Sequence, residues 1–209
     1  MVEVLAIDGP ASVGKSSMAR VISKKFNAPI LHSGILYRKI ALLIVQNKIK
    51  VSDKKKVLAC IKAIDKKEFQ TSDLYTSTID NVSSNISAKR YVRDELMKYQ
   101  RNFPEKFGKN KKFVIIEGRD IGTVIFPDAK YKIFMWADAK IRSERRYNQI
   151  RKKGQKTSLK RIYREIIARD TKDLGRKIAP LKPATNSVLL DTTYLDIEQS
   201  FNAIKKILK

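Results

Sequence analysis

The chain has 209 residues, 45 Lys plus Arg against 21 Asp plus Glu, a single Cys and a single His, for a formal net charge of +24. That length suits one domain, or one with a small appendage, around a sizeable core; with 43% hydrophobic and 32% charged residues it is no collagen-like, mucin-like or wholly disordered polymer. The longest apolar run, Ile40 to Val45, falls far short of the roughly 18 residues a membrane span requires. An apparent core strand already under way at Val2 does not read as a secretory leader, so a cytoplasmic protein is expected. Cys60 alone can form neither an internal disulfide nor a thiolate-rich metal site, and reads as buried filler in a reducing compartment.

Half of the positive excess is local: residues 139 to 182 hold 16 Lys or Arg against 4 Asp or Glu. Most of these side chains read as a solvated helical surface. No zinc spacing, aromatic RNA-binding motif or repeat accompanies them, so a specific nucleic-acid partner is not expected.

Val2 to Asp8 reads as a short, mostly apolar strand, Gly9 to Gly14 as a glycine-bounded turn, and Lys15 to Phe26 as a helix through the spacing of Met18, Val21, Ile22 and Phe26. Pro29 to Leu31 is a second strand. Helices follow at Gly34 to Gln46 and at Asp53 to Ile64, with Asp53 a candidate N-cap. Residues 67 to 80 are polar, Thr-rich and poorly periodic, a small insertion with room for short strands. Ala88 to Phe103 reads as a helix and Pro104 to Lys111 as a loop. Phe113 to Ile116 is an uninterrupted apolar strand suited to burial on both faces. Tyr131 to Trp136 is a fourth strand, followed by basic helices around 139 to 152 and 158 to 173 joined by Lys153-Gly154-Gln155. Val188 to Leu190 is a fifth strand and Ile197 to Leu208 a closing helix. Strands alternating with helices predict an α/β fold with a mainly parallel sheet.

Gly9-Pro10-Ala11-Ser12-Val13-Gly14-Lys15-Ser16 is a phosphate-loop pattern, and it sits between a strand and a helix as its mechanism requires. Backbone N–H groups and the helix N-terminus cradle a polyphosphate, Lys15 reaches the terminal phosphates, and the Ser16 hydroxyl ligates Mg²⁺. These eight residues and Ser17 make the expected ATP-binding set. Glu117-Gly118-Arg119-Asp120 ends the apolar strand, where open α/β sheets place ligands; Arg119 can bridge two phosphates, and Glu117 or Asp120 can hold water or Mg²⁺. Arg142, Arg145 and Arg146 share a face of one predicted helix. With only Glu144 nearby in sequence, they read as a lid that brings positive charge to a transferring phosphoryl group. Arg169, Asp173 and Arg176 share a face of the next. Many arginines without an evident His base fit an acceptor that is itself a phosphate, which needs its repulsion from the donor neutralised more than it needs deprotonation. His32 reads as structural.

These residues resemble the bacterial cytidylate kinases among the nucleoside monophosphate kinases. The likeness runs from Ile7-Asp8-Gly9-Pro10 through Ser33-Gly34-Ile35-Leu36-Tyr37-Arg38, Gly118-Arg119-Asp120-Ile121-Gly122-Thr123-Val124 and Phe126-Pro127-Asp128-Ala129 to Ala179-Pro180-Leu181. It implies a single P-loop kinase domain with a five-stranded parallel core flanked by helices, a monophosphate-binding insertion at about 34–105 and a lid at about 142–170. ATP would phosphorylate CMP or dCMP with Mg²⁺, in a monomer that engages no membrane. Carried over, Ser33, Arg38 and Arg119 approach the acceptor phosphate; Ser84, Arg93 and Asp120 read the cytosine; Arg169, Asp173 and Arg176 hold sugar and phosphates. A carboxylate opposite the cytosine N4 donor and an Arg opposite N3 and O2 are complementary, whereas uracil would set its O4 against the carboxylate. The chain departs from the family in carrying His32 where Asp usually precedes Ser-Gly, Glu117 where Asp usually precedes Gly-Arg-Asp, and a shorter stretch around 67 to 83. The rivals by sequence are another small-molecule P-loop kinase and a basic nucleic-acid-binding ATPase.

Overall fold

The computed structural model describes residues 2–65, 67–152 and 154–208. It divides into two compact units, Met1–Leu31 with Pro104–Lys209, and His32–Phe103. Among the described residues the strands β1 (Glu3–Asp8), β2 (Ile30–His32), β3 (Phe113–Gly118), β4 (Tyr131–Trp136) and β5 (Val188–Asp191) form one sheet in the order β2-β3-β1-β4-β5. The β1–β3, β1–β4 and β4–β5 pairs are parallel.

β1 and β3 are central strands without alternation because both faces are covered: Leu5, Ile7, Phe113 and Ile115 are buried, and so are Val4, Ala6, Val114 and Ile116. The Leu5–Ile7 face joins Met18 and Ile22 of α1 (Lys15–Phe26) and Phe201 and Ile204 of α8 (Ile197–Ile207) in one core. The N-terminus of α8 is set by a reciprocal capping box between Asp196 and Gln199. The chain runs from β1 toward β3 and β2 on one side and then to β4 and β5 on the other. The switch in direction falls at β1, and the phosphate loop follows its carboxyl end, the place where open α/β sheets bind ligands.

The basic helices are α6 (Ala139–Lys152) and α7 (Leu159–Leu174); Lys153 of their predicted connection lies outside the described residues. Arg176 lies beyond the end of α7, whose C-cap is Gly175, so the expectation that Arg169, Asp173 and Arg176 share one helix face fails at its last member.

The other unit holds α2 (Ser33–Gln46), α3 (Lys54–Ala63), α4 (Ser77–Ile86) and most of α5 (Arg90–Phe107). Asp53 caps α3 by accepting from Lys56 N, as predicted. Residues 67 to 80 form no strand among those described; instead a 3₁₀ turn at Asp73–Tyr75 leads into α4, whose first turn is capped by the Thr76 hydroxyl. Ile79 and Ile86, seven residues apart, bury one face of α4, and Thr76 serves as a cap where β-branching suggested a strand. The helix predicted to stop at Phe103 continues through Pro104 to Phe107. A proline this near a C-terminus removes a single donor, and the turn is closed by Gly108 N to Pro104 O at 2.8 Å.

Candidate active site

The phosphate loop is held in shape by glycines and by buried hydrogen bonds. Gly9 lies so close to β4 that a Cβ would stand 2.1 Å from the Met135 carbonyl oxygen, and Gly14, the N-cap of α1, has φ +102°, which only glycine adopts readily. Lys15 is folded inward, its Nζ donating to the carbonyls of Gly9 and Pro10 at 2.8 Å each. Burial pushes its pKa down to about 7, helped by the Arg119 charge and opposed by Glu117 and Asp8. The Ser16 hydroxyl donates to Glu117 Oε1 at 2.8 Å. A hard oxygen donor with a carboxylate behind it thus stands beside the loop, which suits Mg²⁺ sharing its remaining positions with water and nucleotide phosphates. No cluster of three or more His, Cys, Asp or Glu able to cage a metal occurs among the described residues.

Asp8, the last residue of β1, is an element that sequence reasoning left without a role. Its two carboxyl oxygens accept from Ile121 N at 2.9 Å and Gly122 N at 2.7 Å, fixing the π-helical turn Ile121–Ile125 that follows Arg119 and Asp120. Burial raises its pKa to about 7, with a contribution from Asp120, against the pull of the two N–H groups and of Lys15. The signal was a carboxylate ending a mostly apolar strand, a place where a charge must find dedicated partners.

Arg119 Nε donates to Asp173 Oδ2 at 2.8 Å, and Arg176 Nη2 donates to Asp173 Oδ1. Burial works against the Arg119 charge, but Asp173, Glu117 and Asp170 outweigh it and raise the pKa; the same arginines hold the Asp173 carboxyl below its ordinary value despite its burial. Arg119, Asp173 and Arg176 therefore form one charged cluster, and Asp120 is buried next to Arg119 in the chain.

The lid arginines depart from expectation. Arg142 is 4% exposed and finds its acid far along the chain: Nη1 binds Asp170 Oδ2 at 2.6 Å and Ala11 O at 2.8 Å, while Nε binds Ala137 O at 2.8 Å. Arg145 donates to the carbonyls of Thr192, Thr193 and Leu195 at 2.6, 3.3 and 3.1 Å, tying α6 to the connection between β5 and α8. Neither is the uncommitted charge that local sequence suggested: Arg142 finds its carboxylate 28 positions away, and Arg145 finds its carbonyls 47 to 50 positions away. Arg146 is half-buried on α6.

In the second unit Ser33 is buried and its Oγ accepts from Gln100 Nε2 at 2.7 Å. Arg38 donates to Leu74 O at 2.6 Å, pairs with Asp80 and lies over the Tyr75 ring at 4.7 Å. Arg93 Nη1 reaches Ser87 O at 3.1 Å, and the Ser87 hydroxyl donates to Ser84 O at 2.8 Å, so Ser84 and Arg93 are joined through one residue. Gln100 and Asp80 were not singled out from the sequence. Each is the partner of a residue that was, and only the packing of α5 and α4 within this unit identifies them.

A parallel sheet of this order, with a glycine-bounded loop whose Lys and Ser open the first helix, defines a P-loop kinase. Solved structures with the same fold include an uncharacterized protein from Eubacterium ventriosum (TM-score 0.56, 12% identity, covering 100% of this chain and 98% of that one). A sugar kinase from Janibacter sp. HTCC2649 is a second (TM-score 0.51, 10% identity, 100% and 95%). At such identities they speak to fold alone. The cytidylate kinase family model matches residues 5–209, and the chain belongs to that family. Among its relatives, the cytidylate kinase of Rickettsia akari is 40% identical over 205 residues, covering 96% of this chain and 91% of the relative. That of Fusobacterium nucleatum is 40% identical over 215 residues, covering 97% and 95%.

Proposed function

We propose that this protein transfers the γ-phosphoryl group of ATP to CMP or dCMP, giving ADP and CDP or dCDP. The observation that carries the reading is the coexistence of the Lys15–Ser16 phosphate loop with the Arg119–Asp173–Arg176 cluster in a chain of the cytidylate kinase family. The acceptor phosphate is already anionic, so the protein has to align two polyanions and neutralise them rather than deprotonate a hydroxyl. A P–O bond forms to an oxygen of the monophosphate as the β–γ bridge of ATP breaks, leaving ADP. Lys15 leaves the loop carbonyls for the donor phosphates, whose negative charge favours its ammonium form. Arg119, oriented by Asp173, meets the acceptor phosphate, and Arg146 meets the charge that develops between the two. Mg²⁺, taken at Ser16 with Glu117 behind it, would supply charge neutralisation on the donor phosphates.

Ser33 and Arg38 remain assigned to the acceptor phosphate, and Ser84, Arg93 and Asp120 to the base. Arg169 and Arg176 are assigned to sugar and phosphates with Asp173. We place the enzyme in the cytosol as a monomer; no helix among the described residues is long and apolar enough to cross a membrane. A coupled ADP-release assay with ATP, Mg²⁺ and a panel of nucleoside monophosphates and hydroxyl acceptors tests the reading. CMP and dCMP should give the highest kcat/KM; preference for a hydroxyl acceptor would replace it with another P-loop kinase activity.

A further inference from the structure

Asp170 has no part in the reaction just described, yet it is 8% exposed and makes direct contact with the phosphate loop. Its Oδ1 accepts from Ala11 N at 3.1 Å, and its Oδ2 takes Arg142 Nη1 at 2.6 Å. The same Arg142 nitrogen donates to Ala11 O at 2.8 Å. Both backbone polar groups of Ala11 are therefore taken by side chains of one buried ion pair, the acid from α7 and the base from α6. The second anchor of Arg142, the Ala137 carbonyl just after β4, ties the pair to the sheet. An Ala11 N–H directed at a carboxylate is not directed at a phosphate. This part of the loop is fastened from behind, which leaves the later N–H groups and the start of α1 to face the nucleotide.

We infer that Asp170 and Arg142 are positioning residues: a clamp that holds the phosphate loop in its nucleotide-accepting shape and couples it to α7, the helix that also carries Arg169 and Asp173. A loop that must bend around a triphosphate pays conformational entropy on binding unless it is already ordered. A buried pair worth little in net folding energy can hold one conformation when each charge also satisfies backbone groups. The clamp accounts for the spacing of two adjacent acids in α7. Asp173 meets Arg119 and Arg176, whereas Asp170, three residues earlier, meets Arg142 and the loop. This assignment moves Arg142 from the phosphoryl group to the loop behind it, and it rests on the phosphate loop as the ATP site.

The test compares Asp170→Asn, Arg142→Ala and the double variant with the parent. Each is checked for cooperative thermal unfolding, and each is measured for binding of a fluorescent ATP analogue, for KM of ATP and CMP, and for kcat. Loss of one charge-assisted contact to the loop should weaken ATP binding by roughly tenfold or more, while KM for CMP at saturating ATP changes by less than about threefold. The two losses should not multiply: the double variant should bind ATP about as poorly as the worse single one. Free guanidinium ion, fitting the space left in Arg142→Ala, should restore ATP binding in that variant and do nothing for Asp170→Asn. Amide hydrogen exchange in the loop peptide should quicken in both. A fall in kcat with unchanged ATP binding would overturn the clamp and return Arg142 to the transferring phosphoryl group. Multiplying effects, or loop exchange equal to the parent's, would overturn it as well. ATP binding is measured without acceptor, so the clamp stands or falls separately from the identity of the monophosphate.

Discussion

The Ser16 hydroxyl donates to Glu117 Oε1 at 2.8 Å, joining the first turn of α1 to the carboxyl end of β3 across 101 positions of sequence. In the proposed function, Glu117 orients the Ser16 hydroxyl that would meet Mg²⁺. Its replacement by Gln keeps length but removes the charge behind the ligand. The Mg²⁺ concentration for half-maximal rate should rise by roughly 10- to 100-fold in Glu117→Gln, as for other lost outer-shell partners. Glu117→Asp should lie between the two. A Mg²⁺ titration of the initial rate checks this; coincident curves for parent and Glu117→Gln would remove Glu117 from the metal site.

Asp8 and Lys15 give the protein a defined pH dependence of stability. Asp8 has an ordinary value of 3.8 and about 7 when folded, so its contribution is fully present below pH 3.8 and is lost as pH rises through about 7. Lys15 runs the other way: lowered from 10.5 to about 7, its contribution is present above 10.5 and lost as pH falls through about 7. Together they predict a stability minimum near neutrality. Asp8→Asn should abolish the falling limb between pH 4 and 7 and leave the rising limb above it. Urea midpoints measured at pH 5, 7 and 9 decide, and parallel profiles for parent and variant between pH 5 and 7 would contradict the assignment.

Base recognition is tested by ratio rather than by rate. Asp120→Ala and Arg93→Ala should each lower kcat/KM for CMP more than for UMP, narrowing the preference by roughly tenfold or more, as expected when a polar group facing a base edge is removed. A ratio unchanged in both variants would mean that neither residue reads the base, whatever happens to the absolute rates.

The structure separates two neighbouring arginines that look alike in sequence. Arg145→Ala strips donors from three carbonyls in the connection between β5 and α8, so it should cost about 1–3 kcal/mol of stability. Arg146→Ala should leave the unfolding midpoint within a degree or two and reduce kcat, by roughly 10²-fold if its charge meets the transferring group. Thermal melts and single-turnover rates on both variants make the comparison. A reduced chemical rate with full stability in both variants would restore both residues to a common phosphate-facing role.

The sequence by itself determined the strand–loop–helix at the start, the five strands and the phosphate loop. Each of these is local: a continuous apolar run, a glycine spacing and a helical periodicity are readable within a dozen residues. It also carried the family, through motifs such as Gly118-Arg119-Asp120 that sit at a strand end. The helix α4 was open to the same reading through Ile79, Val82 and Ile86, and was obscured by the Thr-rich stretch that caps it. What the chain could not reveal was how its charges are partnered. Arg142 and Asp170 are 28 residues apart, Asp8 and Gly122 are 114 apart, and Arg145 is 47 from the carbonyl it binds at Thr192. Hydrogen bonds of this kind depend on which strand ends and helix faces the sheet order brings together. A lid of unpaired arginines was therefore a reasonable reading of local sequence, and the tertiary structure replaced two of them with anchors. Burying a guanidinium or a carboxylate is tolerated only where fixed partners wait for it, and for Arg142, Arg145 and Asp8 the deciding partners come from distant parts of the chain.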